Sequence, residues 1–248
     1  MELTPEFWEG LIKIIFVNIL LSGDNAVVIA LASRSLPPHL RSRAIWFGAL
    51  GAVVLRLIFS LFIVQLMAIS YLKIIGAILL VWIGVKMIVP EHSAEEPEGE
   101  DGNAFSAGVW AAIRTIVIAD AVMSLDNVIA IAAAADGNFT LIAIGLAMSV
   151  PLIIYGSTLV LHFLIRYPIL VMFGAGLIGW IAGEIWITDP AIAEWTHEIM
   201  ETYGHWLEWA SAAAGAIFVV GLGKIMAARA EARRRDHRVV DLASGETK

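Results

Sequence analysis

Apolar stretches near twenty residues long recur along most of this chain, and no other feature narrows its fold so far. A bilayer's hydrocarbon core is crossed by about twenty apolar residues in a helix. Composition agrees with that reading. Of 248 residues, 59% are hydrophobic and 16% charged, far from the average soluble mix. The expected class is an all-α polytopic membrane protein forming one bundle. No cysteine is present, which excludes disulfides, thiolate metal sites and thiol catalysis.

Seven spans are expected, at about Gly10–Ser33, Ala44–Met67, Leu72–Val89, Ala107–Ala134, Thr140–Leu164, Ile169–Ile187 and Trp206–Met226. Trp8, Trp110, Trp186, Trp206 and Trp209 fall near their ends, where aromatic side chains favour the interface. Glu2, Glu6 and Glu9 replace the basic region of a cleaved signal peptide, so the first span is expected to remain. Glu91, Glu95, Glu96, Glu98, Glu100 and Asp101 make one acidic, Pro97-containing linker, which accounts for much of the net charge of -7. That balance speaks against nucleic acid as a partner.

Arginines set the orientation. Arg34, Arg41 and Arg43 lie between spans one and two, Arg166 between five and six, and Arg229, Arg233, Arg234 and Arg235 after span seven. An odd number of spans puts all of them on one side, which the positive-inside rule makes cytoplasmic: N-out, C-in.

The sequence also repeats. Ser22-Gly23-Asp24-Asn25 returns as Ser124-Leu125-Asp126-Asn127, Gly48 and Ser60 as Gly145 and Ser157, and Gly76-Ala77 with Trp82 as Gly174-Ala175 with Trp180. Three spans are odd in number, so the second copy enters the membrane from the other side. This is the inverted repeat of secondary transporters, whose sites lie at the midplane. The expected organisation is a first repeat at 1–90, an acidic cytoplasmic linker at 91–105, a second repeat at 106–188, an external loop and seventh helix at 189–226, and a basic cytoplasmic tail at 227–248.

Both copies bury an Asp-Asn pair where an ionised carboxylate costs about 2.5–3.5 kcal/mol on insertion scales. Helical spacing places Asn18, Ser22 and Asn25 on one face, and Asp120, Ser124 and Asn127 on the matching face of span four. Asp24 and Asp126 lie about 100° to the side. Gly23 allows a break in span one that Leu125 disfavours in span four. Carboxylates, amides and hydroxyls form an oxygen set for hard cations such as Mg²⁺, Ca²⁺ and Mn²⁺. Met123 and Met148 offer a softer thioether, although core packing is the commoner role.

The candidate metal ligands are therefore Asn18, Asp24, Asn25, Asp120, Asp126 and Asn127, supported by Ser22, Ser124 and Arg56. Asn and Ser also simply hydrogen-bond between membrane helices, so a structural role stays open for Asn18, Ser22 and Ser124. Arg56, mid-span, must meet a carboxylate or helix C-terminal carbonyls. It either balances the site's charge when the cation is absent or forms a permanent ion pair with Asp120. Lys86 and Glu184, at matched ends of spans three and six, are candidates for a gate or proton site, or snorkel to the interface. No phosphate-binding loop, HExxH or GxSxG occurs, so neither an ATP-driven pump nor a soluble enzyme is expected.

The paired Asp-Asn motifs, in a three-plus-three-plus-one arrangement, resemble the TerC family of bacterial membrane proteins, and the resemblance runs to Gly223. It implies an inner-membrane location, Mn²⁺ export and kinship with lysine exporters, with Asp24, Asn25, Asp126 and Asn127 at the metal-binding positions. Mn²⁺ is then the transported substrate rather than a resident cofactor, and none is expected. The family's tellurium label fits poorly, since an oxyanion would need cationic donors. Expelling a dication against an inside-negative potential costs about 4.6 kcal/mol per 100 mV, so proton antiport through Asp120 or Glu184 is expected. The direction rests on the resemblance. The alternatives are a non-transporting scaffold or insertion partner, and an exporter of an amino acid or other small metabolite. The sequence sets no oligomeric state.

Overall fold

The computed structural model describes residues 8, 11–16, 23–89, 102–135, 138–203 and 206–244. Residues 11–16 are helical and precede α1 (Gly23–Ser33); then follow α2 (Pro38–Met67), α3 (Leu72–Ile88), α4 (Gly102–Ala134), α5 (Phe139–Arg166), α6 (Ile169–Trp186), α7 (Ala193–Tyr203) and α8 (Trp206–Ser244). Among the described residues, five helices carry segments long and apolar enough to cross a membrane: Pro38–Ile63, Gly108–Leu125, Phe139–Arg166, Ile169–Trp186 and Trp206–Ala232. Of the other two expected spans, α3 has 17 residues, a rise of about 26 Å, and α1 is apolar but short on its own.

Local chemistry explains where several helices begin. Pro38 holds the first position of α2, where its missing N–H costs nothing, so the helix starts before the apolar segment expected at Ala44. Asn138 caps α5, its side chain accepting from the N–H groups of Thr140 and Leu141 at 3.1 and 3.3 Å. Phe62 leaves helical geometry and kinks α2 near its end. α8 continues past Met226 through the expected basic tail, because Ala, Arg and Glu favour helix whatever their polarity. α7, placed in the expected external loop, is a short amphipathic helix lying on α8.

The main core draws on all six helices α1 to α6, with Met123 inside it. Large apolar side chains also cover the outside: Trp46, Phe47, Leu50, Val54, Ile58 and Leu61 of α2 are all exposed. An apolar periphery on this scale suits lipid rather than water.

Helix pairing has an exchange symmetry. If α1, α2 and α3 are swapped with α4, α5 and α6, the packing of α2 on α4 becomes that of α5 on α1, and α3 on α4 becomes α6 on α1. The pairs α1–α4, α2–α5 and α3–α6 map onto themselves. Single contacts obey the same rule. A Cβ on Gly48 would meet Ile116, and one on Gly145 would meet Ile14. Gly48 matches Gly145 in the repeat, and Ile14 matches Ile116 at the offset that relates Asp24 to Asp126.

Two polar ties mark opposite ends of the bundle. Arg34, after α1, donates through Nη2 to the carbonyl of Met87 near the end of α3, at 3.1 Å. Leu36, Leu40 and Ala44 pack on Ala112, which brings the early part of α4 to the same end. At the other end, Asp189 beyond α6 meets the start of α3.

Candidate functional site

Packing of α2 against α4 brings Arg56 to Asp120, both buried. Arg56 Nε donates to Asp120 Oδ2 at 3.0 Å, and Nη2 donates to Oδ1. Ser124, one turn further along α4, donates its hydroxyl to the same Oδ2 at 3.0 Å. The guanidinium fork thus meets a carboxylate bidentately, the geometry that best offsets desolvation of both charges.

Asp24 begins the facing helix, α1. It is half-buried, and its Oδ1 accepts the backbone N–H of Asn25 at 2.7 Å. Its helix packs against both α2 and α4, which carry Arg56 and Asp120. Asn25 is buried, and Asn127 is half-buried on α4, seven residues past Asp120. In the Arg56–Asp120 pair the two charges offset one another. The Asp24 carboxyl and the Asn25 and Asn127 amides are oxygen donors of the kind a hard cation takes.

Of the expected ligands, Asp24 and Asn25 lie on α1 and Asp120 and Asn127 on α4, two helices that pack together, with Arg56 and Ser124 bonded to Asp120. Asn18 and Ser22 lie outside the described residues, and the expected break at Gly23 falls at their edge. Asp126 belongs to α4, which runs unbroken through Leu125 and Asn127, but its side chain is likewise outside. Among the described residues no three His, Cys, Asp or Glu side chains gather closely enough to hold a metal. Met123 packs in the core and Met148 is exposed.

Lys86 and Glu184 are both exposed, and each engages a tryptophan one turn earlier on its own helix. Lys86 Nζ stands 5.7 Å from the Trp82 ring centre, and Trp180 Nε1 donates to Glu184 Oε1 at 2.7 Å. Lys86 sits at the Arg34–Met87 end of the bundle and Glu184 towards the Asp189 end, as a matched pair in an inverted repeat would.

The Asp189 clamp was not foreseen from the residues. This buried carboxylate accepts the backbone N–H groups of Tyr71, Lys73 and Ile74 at 2.8, 3.0 and 3.2 Å, and that of Ala191 at 2.8 Å. Tyr71, the N-cap of α3, has φ 69 and makes no side-chain cap, so Asp189 caps the helix from elsewhere in the chain. Lys73 Nζ donates to Thr188 Oγ1 at 2.9 Å. Thr188-Asp189-Pro190 is recognisable as a turn, but nothing local names its partner.

Burial alone would raise the pKa of Asp189, but the donated N–H groups outweigh it and hold the carboxyl below its ordinary value. A depressed folded-state pKa makes this stability present above the unfolded value of about 3.9. It is lost as pH falls from there through the folded value. Asp189→Ala is expected to cost about 1–3 kcal/mol at neutral pH, and Asp189→Asn to flatten the acid limb. Melting temperature against pH in detergent checks both.

The profile of the Integral membrane protein TerC family matches residues 3–233. This chain belongs to the TerC family. It is a multi-pass integral membrane protein. Among TerC-like relatives, the "Uncharacterized membrane protein YjbE" of Bacillus subtilis (strain 168) is 40% identical over 188 residues, covering 76% of this chain and 84% of that protein. "Uncharacterized membrane protein YceF" of the same organism is 28% identical over 146 residues, 57% of each chain. The "UPF0053 inner membrane protein YgdQ" of Escherichia coli (strain K12) is 26% identical over 179 residues, 66% of this chain and 74% of that one. No solved structure matches this TerC chain.

Proposed function

We propose that this protein is a transporter, not an enzyme, and exports a divalent metal cation, Mn²⁺, across the inner membrane of a bacterium. The observation that carries the proposal is the buried Arg56–Asp120–Ser124 network, a charged group inside an apolar bundle, on helices packed against the one that holds Asp24. Buried charges in membrane helices mark ion and proton pathways far more often than they mark packing.

In this reading the two halves are inverted three-helix repeats, with seven spans, N-out and C-in. The exchange symmetry of helix pairs and the reciprocal Gly48–Ile116 and Gly145–Ile14 contacts support it. The charged pair breaks the symmetry. Arg56 matches Ile153, and Asp120 matches Asn18. With the site empty, Arg56 is the internal countercharge of Asp120. An arriving dication gathers Asp24, Asn25, Asp126 and Asn127, displaces Arg56 from Asp120, and leaves when a proton restores neutrality. Such an exchange supplies the driving force that outward movement of two charges requires.

Cells relying on this protein for Mn²⁺ tolerance are expected to lose it with Asp24→Ala or Asp126→Ala, at unchanged membrane abundance. Normal growth of either variant in excess Mn²⁺ would remove the site. Under the scaffold reading, deleting Glu91–Asp101 would instead be the more damaging change.

A further inference from the structure

Between α5 and α6 the bundle leaves an apolar recess of about 320 Å³. Val160 and Phe163 line it from α5, Phe173 and Leu177 from α6, and Val27 reaches it from α1, where Gly174 permits close approach. Phe163 and Phe173 are 45% and 70% exposed, so the recess opens to the periphery of the bundle. In a bilayer, the apolar periphery onto which it opens faces lipid tails. An open apolar void beside mobile acyl chains is filled by one, because empty space forfeits dispersion contacts on every wall.

The chain also supplies a headgroup site next to the recess. Arg166 ends α5, three residues after Phe163, and is exposed. Its guanidinium stands 5.9 Å from the ring centre of Tyr167, an arrangement typical of an interfacial anchor. Pro168 then turns the chain into α6. In the orientation proposed above this turn faces the cytoplasm, where the leaflet is anionic. We propose that the recess is a lipid site: it takes one acyl tail of an anionic phospholipid of the cytoplasmic leaflet, with the phosphate on Arg166. A tail there also braces α1 one turn beyond Asp24, which links lipid occupancy to the motif helix.

The full-length protein, stripped of lipid in mild detergent, is titrated with phosphatidylglycerol or phosphatidylcholine, and bound lipid is counted by native mass spectrometry. Wild type is expected to bind the anionic lipid about five-fold more tightly, the contribution of one arginine at such a surface. Arg166→Gln is expected to erase that preference. Val160→Trp, which fills the recess, is expected to lower occupancy by either lipid about ten-fold or more. Leu159→Trp, beside it on an exposed face, is expected to leave occupancy unchanged. Leu177→Trp fills the recess from the opposite wall if Val160→Trp does not fold. Full occupancy in a filled variant, no headgroup preference in wild type, or a change in oligomer mass in place of lipid count would each overturn the proposal. No arm of the experiment contains metal, so it fails or stands separately from the transport reading.

Discussion

Removing Arg56 alone is expected to destabilise the protein far more than removing it together with Asp120. Arg56→Met strands a buried carboxylate that still holds Ser124, a loss of about 3–5 kcal/mol less whatever Asp120 recovers by taking up a proton. Arg56→Met with Asp120→Leu replaces both charges by apolar groups and is expected to restore folding to near the wild-type level. Melting in detergent reads the stability difference. The functional outcome separates the two roles open for the pair. If Arg56 and Asp120 form part of the transport cycle, the double variant is well folded yet fails to confer Mn²⁺ tolerance. If it confers normal tolerance, the pair is structural only.

The second large effect lies at the seam of α6 and α8. A Cβ on Gly179 would stand 2.5 Å from the backbone oxygen of Gly215, and one on Gly183 would stand 2.8 Å from Ala212 Cα. Gly215 faces the backbone of Gly179 in return. Small residues here let two helices touch through their backbones, the main source of helix association where lipid competes for apolar contact. Ser211 reinforces the seam by donating to the Gly183 carbonyl and accepting from Trp186 Nε1, each at 2.6 Å. Backbone cannot swing aside as a side chain can, so Gly215→Leu is expected to cost about 3 kcal/mol, the upper range for overpacking. Gly221→Leu lies on the same helix with open space at its Cβ. It is expected to be neutral or to stabilise by up to about 1 kcal/mol through helix propensity. A pair of melting curves checks the contrast.

The apolar runs made the helices legible, since period and length alone distinguish a membrane helix from most alternatives. A guanidinium at Arg56 had to find a carboxylate, and the pairing with Asp120 was legible from the sequence. The packing of α2 on α4 supplies its bidentate geometry and the added Ser124 bond. Helix ends were less readable. The span was expected to end at Met226, whereas α8 continues because helix propensity in an Ala- and Arg-rich segment is indifferent to the membrane. The Asp189 clamp was invisible for another reason. Its carboxylate and the N–H groups it caps are far apart in the chain, and only the meeting of α3 and α6 joins them.

The asymmetry within the symmetric frame is the main mechanistic clue. The two halves pack alike, yet the Arg56–Asp120 pair bridges them at one place only, since the positions that match it by the repeat are Ile153 and Asn18. In the proposed exchange a group alternates between partners, and the pair would supply it at one of the two repeat-related interfaces.

Radiolabelled Mn²⁺ flux in proteoliposomes holding the purified protein, with and without a pH gradient, tests the central claim most directly. Wild type is expected to move Mn²⁺ against its gradient only when protons flow the other way, and Asp24→Asn to reduce flux to the level of empty liposomes. Mn²⁺ flux indistinguishable from empty liposomes in the wild type, or undiminished flux in Asp24→Asn, would contradict it.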